Sequence, residues 1–97
     1  MARYVTLINW TDQGVKNYRD SVDRYEAARS AADAAGAQFV DAYWTIGNYD
    51  LVVVVEAPDD ETATAALLSV GASGNVRTTT LRAFGVEEMR AIIAKTG

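Results

Sequence analysis

The 97-residue chain has no cysteine, no histidine and a single proline. Without cysteine there is no disulfide framework, zinc ribbon, iron–sulfur cluster or thiol nucleophile. Without histidine the commonest general base, the usual metal ligand and the usual haem ligand are gone. Positive charge is scarce as well: nine Lys and Arg stand against thirteen Asp and Glu, for a net charge of −4. A nucleic-acid module normally carries a basic face or stripe, so no nucleic-acid partner is expected. The nearest thing to a basic cluster, Arg19, Arg24 and Arg29, is interleaved with Asp20, Asp23, Glu26 and Asp33 and reads as a solvated helix face. No apolar run approaches the roughly eighteen residues of a membrane span. Met1-Ala2-Arg3 leads straight into an alternating pattern with no signal-peptide core, so a cytoplasmic protein with no membrane partner is expected. Serines lack a histidine to activate them, and Lys16 and Lys95 are the only lysines available as bases. Gly71-Ala72-Ser73-Gly74 lacks the Lys-Ser/Thr of a phosphate loop, and Asp59-Asp60-Glu61 is explained by a helix N-terminus without a cation. No cofactor and no metal are expected.

What is present is 49% hydrophobic and fits one domain over residues 1–97, long enough to bury roughly two-thirds of its unfolded surface. Residues 3–10 are rich in β-formers and are followed by Thr11-Asp12-Gln13-Gly14, where Thr11 or Asp12 caps a long helix. Its apolar positions, Val15, Tyr18, Val22, Tyr25, Ala28, Ala32 and Ala35, step by three or four up to Gly36, a C-terminal glycine. Residues 38–45 and 49–57 read as a hairpin centred on Gly47-Asn48. Ala57-Pro58-Asp59-Asp60-Glu61 opens a second helix that runs through Leu67 and Leu68 and fails by Gly71 or Gly74. Residues 75–84 form a fourth strand, and Val86 to Lys95 a short terminal helix. The order β-α-β-β-α-β plus a tail helix is the ferredoxin-like α+β plan, a four-stranded antiparallel sheet with helices on one side.

Hairpin arithmetic assigns the faces. With the turn centred on Gly47-Asn48, opposite residues sum to 95. Trp44, Ala42 and Val40 with Leu51, Val53 and Val55 then lie under the helices, joined by Val5, Leu7, Leu81 and Ala83. The open face takes Phe39, Asp41 and Tyr43 with Val52, Val54 and Glu56, and Tyr4, Thr6, Ile8 and Trp10 with Thr78, Thr80 and Arg82. So large an apolar patch is expected to be covered by a second subunit, a ligand, or both. Glu56 and Arg82 on it could form an interchain ion pair or part of a polar pocket. Asp50 and Glu56, about 20 Å apart along an extended strand, are not a carboxylate pair within one subunit. As proton-transfer groups they are the candidate catalytic residues, with Tyr4, Trp10, Tyr43 and Arg82 as ligand-binding residues. For Asp50 the other reading is a staple bonding Thr45 or the turn amides.

Three stretches carry a family likeness. Tyr43-Trp44-Thr45-Ile46-Gly47-Asn48-Tyr49-Asp50, then Glu56-Ala57-Pro58-Asp59-Asp60, then Gly74-Asn75-Val76-Arg77-Thr78-Thr79-Thr80-Leu81-Arg82-Ala83-Phe84 closely resemble the GYD domain family. The opening Tyr4-Val5-Thr6-Leu7-Ile8-Asn9-Trp10-Thr11, followed by Gly14, is similar too. The glycine of the naming triplet is replaced by Asn48, which tolerates positive φ better than most residues. The resemblance implies kinship with dimeric α/β-barrel proteins, in which two sheets pack open face to open face. That group includes cofactor-free monooxygenases, isomerases and haem-dependent enzymes, and the GYD family itself has no established activity. Two functions are therefore expected. One is an oligomeric small-molecule-binding protein, with cofactor-free proton transfer or oxidation in a pocket on the open face. The other is a non-catalytic homo-oligomeric or partner-binding module using that face as glue.

Overall fold

The computed structural model describes all 97 residues, Met1–Gly97. Strands β1 (Ala2–Trp10), β2 (Gln38–Trp44), β3 (Leu51–Ala57) and β4 (Val76–Ala83) form one sheet in the order β2-β3-β1-β4, every neighbouring pair antiparallel. Helices α1 (Asp12–Lys16), α2 (Ser21–Ala35) and α3 (Asp60–Ala72) link the strands, and α4 (Val86–Ala94) ends the chain. This is the ferredoxin-like α+β architecture that the element order predicts.

The single first helix of the sequence reading is broken in two. Thr11 caps α1 by accepting from the Gly14 amide, and the helix stops at Asn17, whose φ of −104° and ψ of 33° leave the helical region. A 3₁₀ turn at Tyr18–Asp20 precedes α2, in which the Asp20 amide donates to the Asn17 carbonyl at 3.1 Å, and Arg24 reaches back to the carbonyls of Asn17 (2.6 Å) and Gly14 (3.3 Å) across the break. Val15 and Tyr18, before α2, are exposed, as is Val22 in its first turn, whereas Tyr25 and Ala28 pack on the core and Ala32 is buried in it. Gly36 ends α2 at φ 95°, as its position predicts.

The hairpin register holds from Trp44↔Leu51 to Asp41↔Val54 and then slips by one residue at Val40. This β-bulge pairs Phe39 with Val55 and turns its ring under the helices, correcting its assignment to the open face. Phe39 is 6% exposed and stacks with Tyr25, while Val40, assigned to the core by parity, is 49% exposed. The turn keeps positive φ only at Gly47, at 113°, so Asn48 replaces the family's glycine without entering the left-handed region.

Strand β1 lies in the centre of the sheet, and its two faces are the reverse of the parity reading. Tyr4, Thr6 and Ile8 pair with Val55, Val53 and Leu51 and face the helices with them. Their partners on the other side, Arg82, Thr80 and Thr78, share that face. Val5, Leu7 and Leu81 form the open face instead. Fully buried Thr6 is accommodated because its hydroxyl meets that of Thr80 at 3.1 Å, and no buried side-chain polar atom in the molecule lacks a partner.

Asp59 caps α3 by accepting from the Thr62 amide at 2.8 Å, which holds its carboxyl below the usual range. Gly71 sits inside this helix, which ends at Ala72, and Gly74 takes the turn at φ 83°. Helix α4 carries Val86, Met89 and Ile93 exposed, and the molecule measures 52 × 31 × 17 Å. No helix is long and apolar enough to cross a membrane.

Candidate functional site

The six residues singled out from the sequence fall at three places. Tyr43 and Glu56 stand on the open face; Tyr4 and Arg82 lie on the helix side, at the edge between α3 and β4; Trp10 and Asp50 meet where β1 and β3 end. The expected single cluster on the open face is therefore corrected to three separate groups, because β1 and β4 present the opposite faces.

Asp50 binds neither Thr45 through its side chain nor a turn amide. Its carboxylate accepts from the Trp10 amide at 2.9 Å, and its own amide donates to the Ile8 carbonyl at 2.9 Å, so it ties the end of β1 to β3. The turn is closed separately by Thr45, whose amide donates to the Asp50 carbonyl and whose hydroxyl donates to the Tyr49 carbonyl. Glu56 accepts from the Arg3 guanidinium at 2.6 Å within the same chain, and the carboxylate pushes that guanidinium still further up. Asp41, two residues from Tyr43 on the same face, accepts from the Tyr43 hydroxyl at 2.6 Å, which pushes the Tyr43 phenol up.

The open face is accordingly apolar in its middle and polar at its borders. Rows Asp41–Val54–Val5–Leu81 and Tyr43–Val52–Leu7–Thr79 cross all four strands, and the Arg3–Glu56 pair closes one end. Every apolar side chain in these rows retains solvent exposure, Leu81 half of its surface. An apolar centre with a polar rim is the anatomy of a protein interface.

The concave space lies on the other side of the sheet. A cleft of about 700 Å³ runs between α3 and β4, with Tyr4, Asp60 and Arg82 at one end, Leu67 and Leu68 along the helix, and Thr78 and Thr80 along the strand. The Tyr4 hydroxyl donates to the Asp60 carboxylate, and the Arg82 guanidinium lies 5.6 Å from the centre of the Tyr4 ring and 4.5 Å from that of Phe84. The hydrogen bond to Asp60, aided by burial, pushes the Tyr4 phenol up to about 12. A raised phenol stabilises the fold in its neutral form. That contribution is complete below pH 10, the ordinary tyrosine value, and disappears between about 10 and 12 as the unfolded chain ionises first. Thermal unfolding followed across this range should show a fall in Tm that Tyr4→Phe reduces, the remainder coming from the other raised phenols, Tyr25 and Tyr43.

A second hollow of about 450 Å³ separates α2 from α3 above Ile8, Leu51 and Val53. Its walls are largely alanine, including Ala28, Ala31 and Ala35 on α2 and Ala65 and Ala66 on α3. Trp10 lines it from β1.

The sheet order, the register and the single layer of helices define an α+β protein of the ferredoxin-like class. More narrowly, the chain belongs to the GYD domain family, which it matches over residues 4–93. It is 32% identical over 92 residues, covering 94% of this chain and 97% of the other, to the glutamine synthetase and cystathionine beta-lyase binding protein of Thermus thermophilus. Among solved structures, TTHA0845 from the same organism superposes with a TM-score of 0.57 over 89% of this chain and 96% of its own, at 27% identity. MtbAldR superposes with a TM-score of 0.69 at 18% identity over 87% of this chain. The chain spans about half the length of MtbAldR (52%), and the likeness to it is one of fold.

The sequence reading missed Val5, Leu7 and Leu81 as open-face residues, and Asp60, Leu67 and Leu68 as neighbours of Tyr4 and Arg82. For the first three, the usable signal was the pairing of β1 with β3, since the helix-side residues of β3 were already identified by the hairpin.

Proposed function

We propose that this protein is a non-catalytic binding module that self-associates through the open face of its sheet and, so assembled, binds a protein partner. The observation that carries this is the partly exposed apolar centre of the open face, Val5, Leu7, Val52, Val54 and Leu81, framed by Tyr43, Asp41 and the Arg3–Glu56 pair. A monomer would leave these rows against water, and removal of apolar area contributes about 25 cal/mol per Å² to association. The Thermus relative, which aligns over nearly its whole length, is named for binding two enzymes, and this supports the partner-binding half of the reading. Catalysis by Asp50 and Glu56 draws less support, because each carboxylate is engaged within the chain, by the Trp10 amide and by Arg3.

Val54→Glu tests it by placing a charge in the middle of the apolar rows. Sedimentation velocity at micromolar concentration should give a dimer or larger species for the unaltered protein and a monomer for the variant, with the circular dichroism of the fold kept. An unaltered protein that sediments as a monomer overturns self-association. Purified glutamine synthetase and cystathionine beta-lyase, titrated separately, are the first candidate partners, and failure of both to bind rejects them for this chain.

A further inference from the structure

We infer that the α3–β4 cleft is a binding site for a small amphipathic monocarboxylate, with Arg82 receiving the carboxylate and the apolar side of α3 receiving the hydrocarbon tail. It lies on the opposite side of the sheet from the proposed interface and does not depend on it.

The polar end is set by how Arg82 is held. Its Nη1 donates to two main-chain carbonyls, that of Arg3 at 3.2 Å and that of Ala83. These bonds and the flanking rings of Tyr4 and Phe84 fix the plane of the guanidinium. The Nε and Nη2 donors make no hydrogen bond within the protein, and no carboxylate pairs with this residue: the molecule's ion pairs are Arg3–Glu56 and Arg90–Glu87. A guanidinium anchored through one nitrogen, with its Nε–Nη2 edge free, presents the two parallel donors that a carboxylate accepts in bidentate fashion.

The rest of the cleft selects the body of the ligand. From Asp60 to Ala72 the α3 wall runs about 18 Å, and from Arg82 to Thr78 the β4 wall runs about 13 Å. An elongated tail therefore fits along the walls better than a compact one. Leu68, 70% exposed, faces water unless something covers it. The cleft's volume of about 700 Å³ is within the range of small-molecule sites. Asp60, also at the polar end, is engaged by the Tyr4 hydroxyl, and along the tail the Leu67 and Leu68 wall offers no cation to a second carboxylate, which selects one carboxylate over two.

Octanoate is the probe, titrated into ¹⁵N-labelled protein, with octanol and suberate as the matched alcohol and diacid. Octanoate should shift the Arg82 Nε–Hε signal and the amides of Leu68, Thr78 and Thr80 saturably. Octanol and suberate should each bind about tenfold more weakly or worse, since octanol offers Arg82 no charge and suberate carries a second carboxylate into the apolar part of the cleft. Arg82→Gln should weaken octanoate by at least about tenfold, and Leu68→Glu, at an exposed position that tolerates charge, should weaken it through the tail. Octanol binding as well as octanoate, an unchanged affinity in Arg82→Gln, or shifts that do not saturate would each overturn the assignment.

Discussion

Gly14→Ala should lower stability by about 3 kcal/mol, the upper part of the range for overpacking a tight site. A β-carbon at residue 14 would lie 2.0 Å from the Asn75 carbonyl oxygen and 3.0 Å from its carbon. Both are main-chain atoms, and they are held in place. The Thr11 amide donates to that same oxygen at 3.0 Å, the Thr11 hydroxyl donates to the Gly74 carbonyl at 2.6 Å, and the Gln13 side-chain amide donates to Ser73 and Asn75. The two loops at this end of the sheet are thus fastened together at the point where Gly14 touches. In an open helix the same substitution would stabilise by up to about 1 kcal/mol, so even the sign of the effect reports the contact. Urea denaturation would measure it, and a neutral or stabilising result would mean that the loops separate easily. A large loss should also appear as faster hydrogen exchange at the start of β4.

Phe39→Ala and Val40→Ala form the second test, because the bulge assigns the two neighbours opposite roles. Truncating Phe39 removes a buried ring from the cluster of Tyr25, Val55 and Leu51 and should cost about 3–4 kcal/mol. Truncating Val40 removes a half-exposed side chain and should cost under about 0.5 kcal/mol. Strict alternation through the strand would reverse the order. For a domain of this size each kcal/mol moves Tm by about 4–8 °C, so a thermal melt separates the two outcomes without ambiguity.

The elements of the fold were legible because they are written locally. Gly36 and Asp59 mark helix ends by their own chemistry, and the hairpin centre correctly pairs Asp41–Trp44 with Leu51–Val54. The faces were legible only as far as that local signal reached. One inserted residue at Val40 reversed the parity of Phe39. In β1 the alternation carries no sign: Tyr4, Thr6 and Ile8 on one face and Val5 and Leu7 on the other are equally suited to a central strand. The parity reading places Tyr4 and Thr6 on the open face, yet Thr6 is fully buried on the helix side with a bond to Thr80, and Tyr4 is 4% exposed with one to Asp60. Both partners are distant in sequence, so nothing near either residue announces them. The misplacement of the candidate site follows from this one reversal, which carried Tyr4 and Arg82 together to the wrong side.

The central place of β1 in the sheet also governs how the chain can assemble. The first strand of the domain lies between β3 and β4, and Thr6 and Thr80, bonded between β1 and β4, are 74 residues apart. A growing chain can build the β2–β3 hairpin as soon as it is made, but one edge of β1 stays unpaired until residues 76–83 are available. Closure of that long loop costs entropy before any of its contacts are formed. The sheet should therefore close only once β4 is available, and a chain released before residue 76 would expose the edge of its own innermost strand.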